Sequence, residues 1–241
     1  MRGCVFVGPT LSAREVERFV GLTVLPPAAS GDIYRAALAG YRMILLIDGY
    51  FHSVPSVQHK EILYALDQGL QVYGCSSMGA LRAAELADFG MVGMGTVFRQ
   101  YRDGTLTDDD EVAVAHGDAD SGYRTLSIPM VTIRQALALA RTEGLIDPDT
   151  ADTLARLAKS LFYADRHWTA ACALARREGV PGSQLDAWLA FGESQKPDIK
   201  RDDALEALHA VTRGSRTAPR TQPPLFEPTY HWTEFVHQEA P

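Results

Sequence analysis

Cysteine is scarce. Cys4, Cys75 and Cys172 are the three in 241 residues, and their spacing fits neither a disulfide framework nor a set of metal ligands. Cys4 falls in an apolar strand and Cys172 in an Ala-rich helix, where a thiol serves as a small core residue. Cys75 falls in a strand-to-helix turn and stays open to a chemical role. No apolar stretch approaches the length of a membrane span, and the run Val5-Phe6-Val7 is too short for a signal-peptide core. The expectation is a soluble, cytoplasmic protein without membrane contact. A concentrated basic segment is also missing: the net charge is -7 with Lys and Arg scattered, which argues against a nucleic-acid partner. Gly8-Pro9-Thr10 lacks the lysine and spacing of a phosphate-binding P-loop, so ATP has no support and no cofactor is expected.

What is present is a globular composition, 46% hydrophobic and 22% charged, in a chain long enough for a sizeable core. Val5-Phe6-Val7 reads as a strand running into Gly8-Pro9-Thr10. Ser12 and Glu15 form a capping box that predicts a helix start. Met43 to Ile47 is continuously apolar, as in a strand covered on both faces, and ends at Asp48-Gly49-Tyr50. A helix over Val57 to Leu66, a strand over Leu70 to Tyr73, the turn Gly74-Cys75-Ser76-Ser77 and a helix over Met78 to Ala87 follow. This alternation implies a parallel sheet with right-handed crossovers. Val97 to Tyr101 reads as helical and Val112 to His116 as a strand. After Pro129 come helical patterns at 133–143, 148–164, 168–178, 184–191 and 202–212. The fold class is therefore α/β: a Rossmann-like parallel-sheet domain over 1–128, a helical region over 129–213, and a Pro- and aromatic-bearing tail over 214–241. The tail's Phe226, Tyr230, Trp232 and Phe235 suggest docking on a surface.

In parallel sheets of this kind, ligands sit beyond the carboxyl ends of the strands. The loops at Gly8-Pro9-Thr10, Asp48-Gly49-Tyr50 and Gly74 to Ser77 all follow strands, so they should converge on one rim. The sharpest feature there is Gly74-Cys75-Ser76-Ser77-Met78-Gly79. A serine between strand and helix resembles a nucleophile elbow, where helix N-terminal N–H groups can stabilise an oxyanion. The glycine spacing is complete for neither Ser76 nor Ser77, and a helix cap explains either serine equally. A serine nucleophile needs a base, for which His52, His59 and His116 are candidates. His116 ends an apolar segment at a chain turn. Asp48 can orient a histidine, bind a cation or cap a turn. Arg82 and Glu85 share a helix face, where a surface ion pair is the ordinary outcome. The acidic run Asp108 to Glu111 offers oxygen ligands, but such runs are ordinarily solvated and no metal is expected.

These segments together resemble the TfuA-like family. Phe6-Val7-Gly8-Pro9-Thr10-Leu11 resembles its opening strand and turn. Ile47 to Phe51 is similar to a second strand end, and Val54 to Val57 with His59 to Leu63 to the helix after it. Ser77-Met78-Gly79-Ala80-Leu81-Arg82-Ala83-Ala84-Glu85 is similar to the family's signature. Phe89-Gly90-Met91 and Asp109 to Val114 with His116 resemble later blocks. The resemblance implies an accessory factor that works beside a YcaO protein in thioamidation of a peptide backbone. It also implies a ThiS-like, ubiquitin-fold sulfur carrier with a C-terminal thiocarboxylate as a second partner, and contact with the precursor peptide. On this reading Ser77, His116 and Asp48 form the catalytic set of a thiocarboxylate hydrolase. Gly8, Pro9, Thr10, Gly49, Tyr50, Ser76, Met78, Gly79, Arg82 and Glu85 line the substrate rim. The alternative is a module without chemistry that docks on YcaO and activates it allosterically.

Overall fold

A computed structural model describes residues 2–52, 54–213 and 226–239; residues 214–225 and 240–241 of the expected tail lie outside them. In chain order the elements are β1 (Gly3–Phe6), α1 (Ala13–Val16), β2 (Leu22–Leu25), α2 (Asp32–Leu38), β3 (Met43–Leu46), α3 (His59–Asp67), β4 (Gln71–Cys75), α4 (Met78–Leu86), β5 (Val92–Met94), α5 (Gly95–Arg102), α6 (Met130–Thr142), α7 (Pro148–Ser160), α8 (Trp168–Arg177), α9 (Gly182–Gln195), α10 (Ile199–Thr212) and α11 (Tyr230–Glu239). Two compact units result, one from residues 1–107 with 201–241 and the other from 108–200. The division falls at Thr107 rather than at 128, and most of α10 joins the sheet unit instead of a separate helical region. Among the described residues no helix is long and apolar enough to cross a membrane.

The first unit is built on five parallel strands in the order β2-β1-β3-β4-β5. Side chains alternate across a strand, and the two cores follow that alternation. Cys4, Phe6, Ile44, Leu46 and Val72 point to one face and pack with Ile33, Ala36, Ile62, Ala65, Leu66, Ala83 and Leu86 from α2, α3 and α4. Val5, Leu45, Tyr73 and Cys75 point to the other, against Val16 of α1 and Ala204, Ala207 and Leu208 of α10. Burial on both faces is why β3 reads as a continuous apolar run.

Two buried carboxylates lock the helices of this unit to one another. Glu61, fully buried in α3, accepts N–H bonds from Gly31 (3.3 Å), Ile33 (3.0 Å) and Tyr34 (3.4 Å) at the start of α2, and from Gln58 (2.7 Å) at the start of its own helix. Burial pushes its carboxyl pKa up, against the pull of those four donors. Asp203 of α10 accepts the Thr96 and Val97 N–H groups at 2.7 and 2.8 Å, capping α5.

The second unit packs α6 to α9 around Ile133, Leu137, Leu154, Ala171, Leu185 and the fully buried Trp188. The strand expected over 112–116 is not formed. Asp109–Glu111 makes a 3₁₀ turn, and His116 makes only an isolated bridge to Thr125. Side chains take up the backbone groups that a neighbouring strand would have used: Lys200 Nζ donates to the Val112 carbonyl (3.0 Å), and Ala115 N–H donates to Ser127 Oγ (2.8 Å). The acidic run is gathered around one cation, with Asp108 and Asp109 exposed and Glu111 buried. Lys159 Nζ lies 3.0 Å from carboxylate oxygens of both Asp108 and Glu111 and also contacts Asp110. Glu111 in turn holds Arg134 through two 2.9 Å bonds.

Candidate active site

Strands β1, β3 and β4 are parallel neighbours, so the loops leaving their carboxyl ends emerge side by side. β1 is flanked by β2 and β3, which makes the mouth between β1 and β3 the topological switch point, where open α/β sheets bind ligands. Asp48 organises this mouth. It is almost fully buried; its Oδ2 accepts the N–H groups of Gly8 (3.0 Å) and Thr10 (2.9 Å), and its Oδ1 accepts the Thr10 hydroxyl (2.6 Å). Pro9 is held between these anchors. The β2 loop joins through Ala28 N–H to the Asp48 carbonyl (3.0 Å) and Tyr50 N–H to the Ala28 carbonyl (2.9 Å). A Cβ on Gly49 would stand 2.8 Å from Met78 Cγ and 3.1 Å from the Ala28 carbonyl oxygen. Glycine there lets the β2 loop and the start of α4 close on the mouth.

The β4–α4 turn is strained. Ser76 has φ +66°, and the Ser77 N–H donates back to the Cys75 carbonyl at 2.7 Å. This is a γ-turn of positive φ, an uncommon conformation for a residue with a side chain. Ser76 is fully buried and its hydroxyl has no partner. Ser77 keeps 7% of its surface accessible, and its hydroxyl makes no cap hydrogen bond to α4. The turn is possible because a glycine occupies each place where the helix start crosses the strands. A Cβ on Gly74 would lie 2.1 Å from the Gly79 carbonyl oxygen, and one on Gly79 would lie 1.8 Å from that of Leu46. Of the donors in the first turn of α4, Gly79 N–H goes to the Ile47 carbonyl (3.1 Å) and Ala80 N–H to that of Ser77 (3.0 Å). Met78 N–H has no hydrogen-bond partner among the described residues. It is the unspent donor beside Ser77, whereas the Gly79 N–H is taken by the Ile47 carbonyl.

Cys75 points into the apolar core shared with α10. Burial, reinforced by the Asp203, Asp48 and Glu206 carboxylates, pushes its thiol well above the ordinary cysteine range, so it carries no thiolate at neutral pH.

Arg82 and Glu85 do more than pair on a surface. Arg82 Nε donates to the Val57 carbonyl (3.0 Å) and its Nη1 to Glu85 (2.7 Å), while His59 Nε2 lies 2.8 Å from the same Glu85 oxygen. Burial opposes ionisation of Glu85, but His59 and Arg82 outweigh it and hold the carboxyl below its usual range. The three residues tie α4 to α3 behind the mouth. His52, exposed and at φ +73°, ends the Asp48 loop. His116 belongs to the second unit, where its Nδ1 lies 2.7 Å from the Gly117 carbonyl oxygen. With a carbonyl as partner, Nδ1 carries the proton. Asp203, Glu61 and the buried Arg166 escaped the sequence reading as anchors, because their partners lie far along the chain and leave no local signal.

The family model described as TfuA-like protein matches residues 48–167. The chain belongs to the TfuA-like family. The matched span holds the Asp48 loop, the Ser76–Ser77 turn, the Arg82–Glu85–His59 network and the acidic cluster of the second unit. The Phe6 to Leu11 loop that Asp48 holds in place precedes it. Family membership supports a role as a YcaO-associated accessory factor. No curated protein matches the chain.

Proposed function

We propose that the mouth between β1, β3 and β4 receives the thiocarboxylated C-terminus of a small sulfur-carrier protein and hydrolyses it, delivering sulfide to a YcaO enzyme for backbone thioamidation. The observation that carries this reading is the pairing of Ser77, which keeps 7% of its surface accessible, with the unspent N–H of Met78 at a strained strand–helix turn. In serine acyl transfer the N–H of the residue after the nucleophile serves the oxyanion.

Ser77 Oγ adds to the carrier's terminal carbonyl carbon, its proton passing to a histidine, and the Met78 N–H stabilises the oxyanion. His52, on the same rim loop as Asp48, is the base the first unit itself supplies. Collapse breaks the C–S bond and expels sulfide, leaving the carrier as an ester on Ser77, and water then cleaves that ester. The balance is thiocarboxylate plus water giving carboxylate plus hydrogen sulfide. Asp48 acts as the scaffold of the mouth, since its oxygens hold Gly8 and Thr10.

The test is sulfide release from a thiocarboxylated carrier by the purified chain. Ser77→Ala should lower the rate on the order of 10³-fold, and undiminished release overturns the reading.

A second reading, a mouth that binds and activates without chemistry, is favoured by one observation: Ser77 Oγ has no hydrogen bond to an imidazole among the described residues. Saturating free sulfide separates the two. A hydrolase becomes dispensable to YcaO under that condition, and an activator does not.

A further inference from the structure

The C-terminal segment covers the α2–α3 pair of its own unit. Trp232 is its buried anchor at 6% exposure, whereas Tyr230 is 75% exposed. The Trp232 ring lies 5.5 Å from Tyr34 of α2 and 5.4 Å from Tyr64 of α3, with Phe226 and Phe235 at 5.1 and 5.2 Å. Phe235 also reaches Tyr34, at 5.9 Å, and Phe226 reaches Tyr64, at 5.7 Å. Lys60 stands 4.9 Å over the Phe226 ring and donates to the Glu227 carbonyl at 2.7 Å. Among the described residues this is the segment's one hydrogen bond to the rest of the unit. The aromatic tail therefore docks in cis, and the docking surface is the α2–α3 face.

Two features make this cover detachable. Helix α11 has 10 residues, shorter than an isolated helix needs to persist in water, so it is helical only while docked. Its contacts are ring edges and one ammonium group, with no strand pairing or backbone ladder. Such an element opens as a unit of its own, well below the global unfolding free energy.

We propose that the Tyr34–Tyr64–Lys60 face is a helix-docking site for a partner protein, kept closed by α11 until a partner helix of the same chemistry displaces it. The cis occupant defines that chemistry: an amphipathic helix with aromatic residues three apart, as Trp232 and Phe235 are, whose chain offers an oxygen acceptor and an aromatic ring to Lys60. Docking of an apolar helix face into a groove is a common recognition mode. The cis helix acts as a tethered competitor, so the site answers only to a partner that outbids a local concentration on the order of millimolar. This inference does not depend on the chemistry assigned to Ser77.

The experiment uses the full chain and a labelled peptide of residues 226–239. A Trp232→Ala/Phe235→Ala double variant should bind the peptide saturably, at least about tenfold more tightly than the wild-type chain, in which α11 competes. Adding Tyr64→Ala to the double variant should weaken binding by about tenfold or more. Equal affinity for wild type and double variant, no binding by the double variant, or indifference to Tyr64→Ala overturns the proposal. Hydrogen exchange on the wild-type chain decides the matter without any variant. Amides of α11 should exchange about 100-fold faster than those of α3, and equal protection of the two helices overturns it.

Discussion

Asp48 and Thr10 are joined across 38 positions by a 2.6 Å bond from the threonine hydroxyl to the carboxylate, inside a part of the molecule that water does not reach. The same carboxylate takes two backbone N–H groups, so all three bonds are charge-assisted. Asp48→Asn keeps the shape but removes the negative charge that strengthens all three bonds, and leaves the Thr10 hydroxyl only an NH₂ to face if the amide oxygen keeps the two N–H groups. We expect it to lower stability by ~2–3 kcal/mol, read as a shift in urea midpoint at constant slope. Thr10→Val removes one bond of the three and should cost less, about 1–2 kcal/mol. If the order were reversed, Asp48 would not be the organiser of the mouth.

The β4–α4 crossing makes a second prediction, on glycine. Gly79→Ala places a methyl group 1.8 Å from the Leu46 carbonyl oxygen, a contact with backbone that no rotamer change can relieve. The strand and helix must separate, at a cost of ~3 kcal/mol or more. Gly144→Ala is the control: its φ is +73°, but nothing lies within 4 Å of the added carbon, so only the left-handed backbone costs, about 1–2 kcal/mol. Thermal unfolding of the two variants should separate them clearly, and equal losses would count against the close crossing.

The contrast between these elements explains what could be read along the chain. β3 is apolar at every position because helices cover both faces, and it stands out in the sequence; β4 is covered likewise but starts at the half-buried Gln71. β2 escaped notice because it is an edge strand, with Leu22, Val24 and Leu25 half-buried and Thr23 exposed. β5 is three residues with a glycine at its centre, and α2 starts after Gly31 in a left-handed conformation without a side-chain cap. Val112 to His116 misled in the opposite sense: it is apolar because it is buried, and side chains satisfy its backbone. The convergence of three loops followed from strand order alone. The strain at Ser76, the spent N–H of Gly79 and the capping of α5 by Asp203 did not, since each depends on groups brought together only by folding.

Glu15 gives the pH dependence a defined window. The Arg201 guanidinium and the Ser12 hydroxyl hold its carboxyl down at about 2, against an ordinary glutamate near ~4.3. The unfolded chain therefore takes up this proton first as the pH falls. The stabilisation is complete above the unfolded value and fades as pH drops through the folded one. Urea midpoints of wild type and Glu15→Gln should differ most above pH ~4.3 and converge toward pH ~2. The pair is part-exposed, with side-chain accessibilities of 31% and 42%, so ~1 M salt should shrink the gap at the upper end of the range. A gap that widens on acidification would show that Arg201 does not stabilise the ionised form.

The second unit rests on Arg166, whose side chain is wholly buried. Its Nε donates to the Ala158 carbonyl (3.2 Å), its Nη1 to the Asp110 carbonyl (2.8 Å), and its Nη2 contacts the Asp110 carboxylate. Burial works against ionisation of Asp110, but Lys159 and Arg166 prevail and keep its carboxyl below the usual range. Arg166→Met takes the side-chain donor from two carbonyls, of which that of Ala158 keeps the Leu161 N–H (3.3 Å), and takes a counter-charge from a half-buried carboxylate. Removing one partner of such a buried pair costs ~3–5 kcal/mol. Arg166→Lys keeps the charge but cannot present the planar fork, so it should recover only part of the loss. Arg156→Met, which breaks the exposed pair with Glu178, should leave the midpoint unchanged. Trp168 and Trp188 pack edge-to-face at 5.1 Å inside this unit, so a tryptophan-monitored urea titration follows all three variants directly. An Arg166→Met midpoint as high as that of Arg156→Met would mean that the acidic turn at 108–111 is held by Lys159 and Arg134 alone.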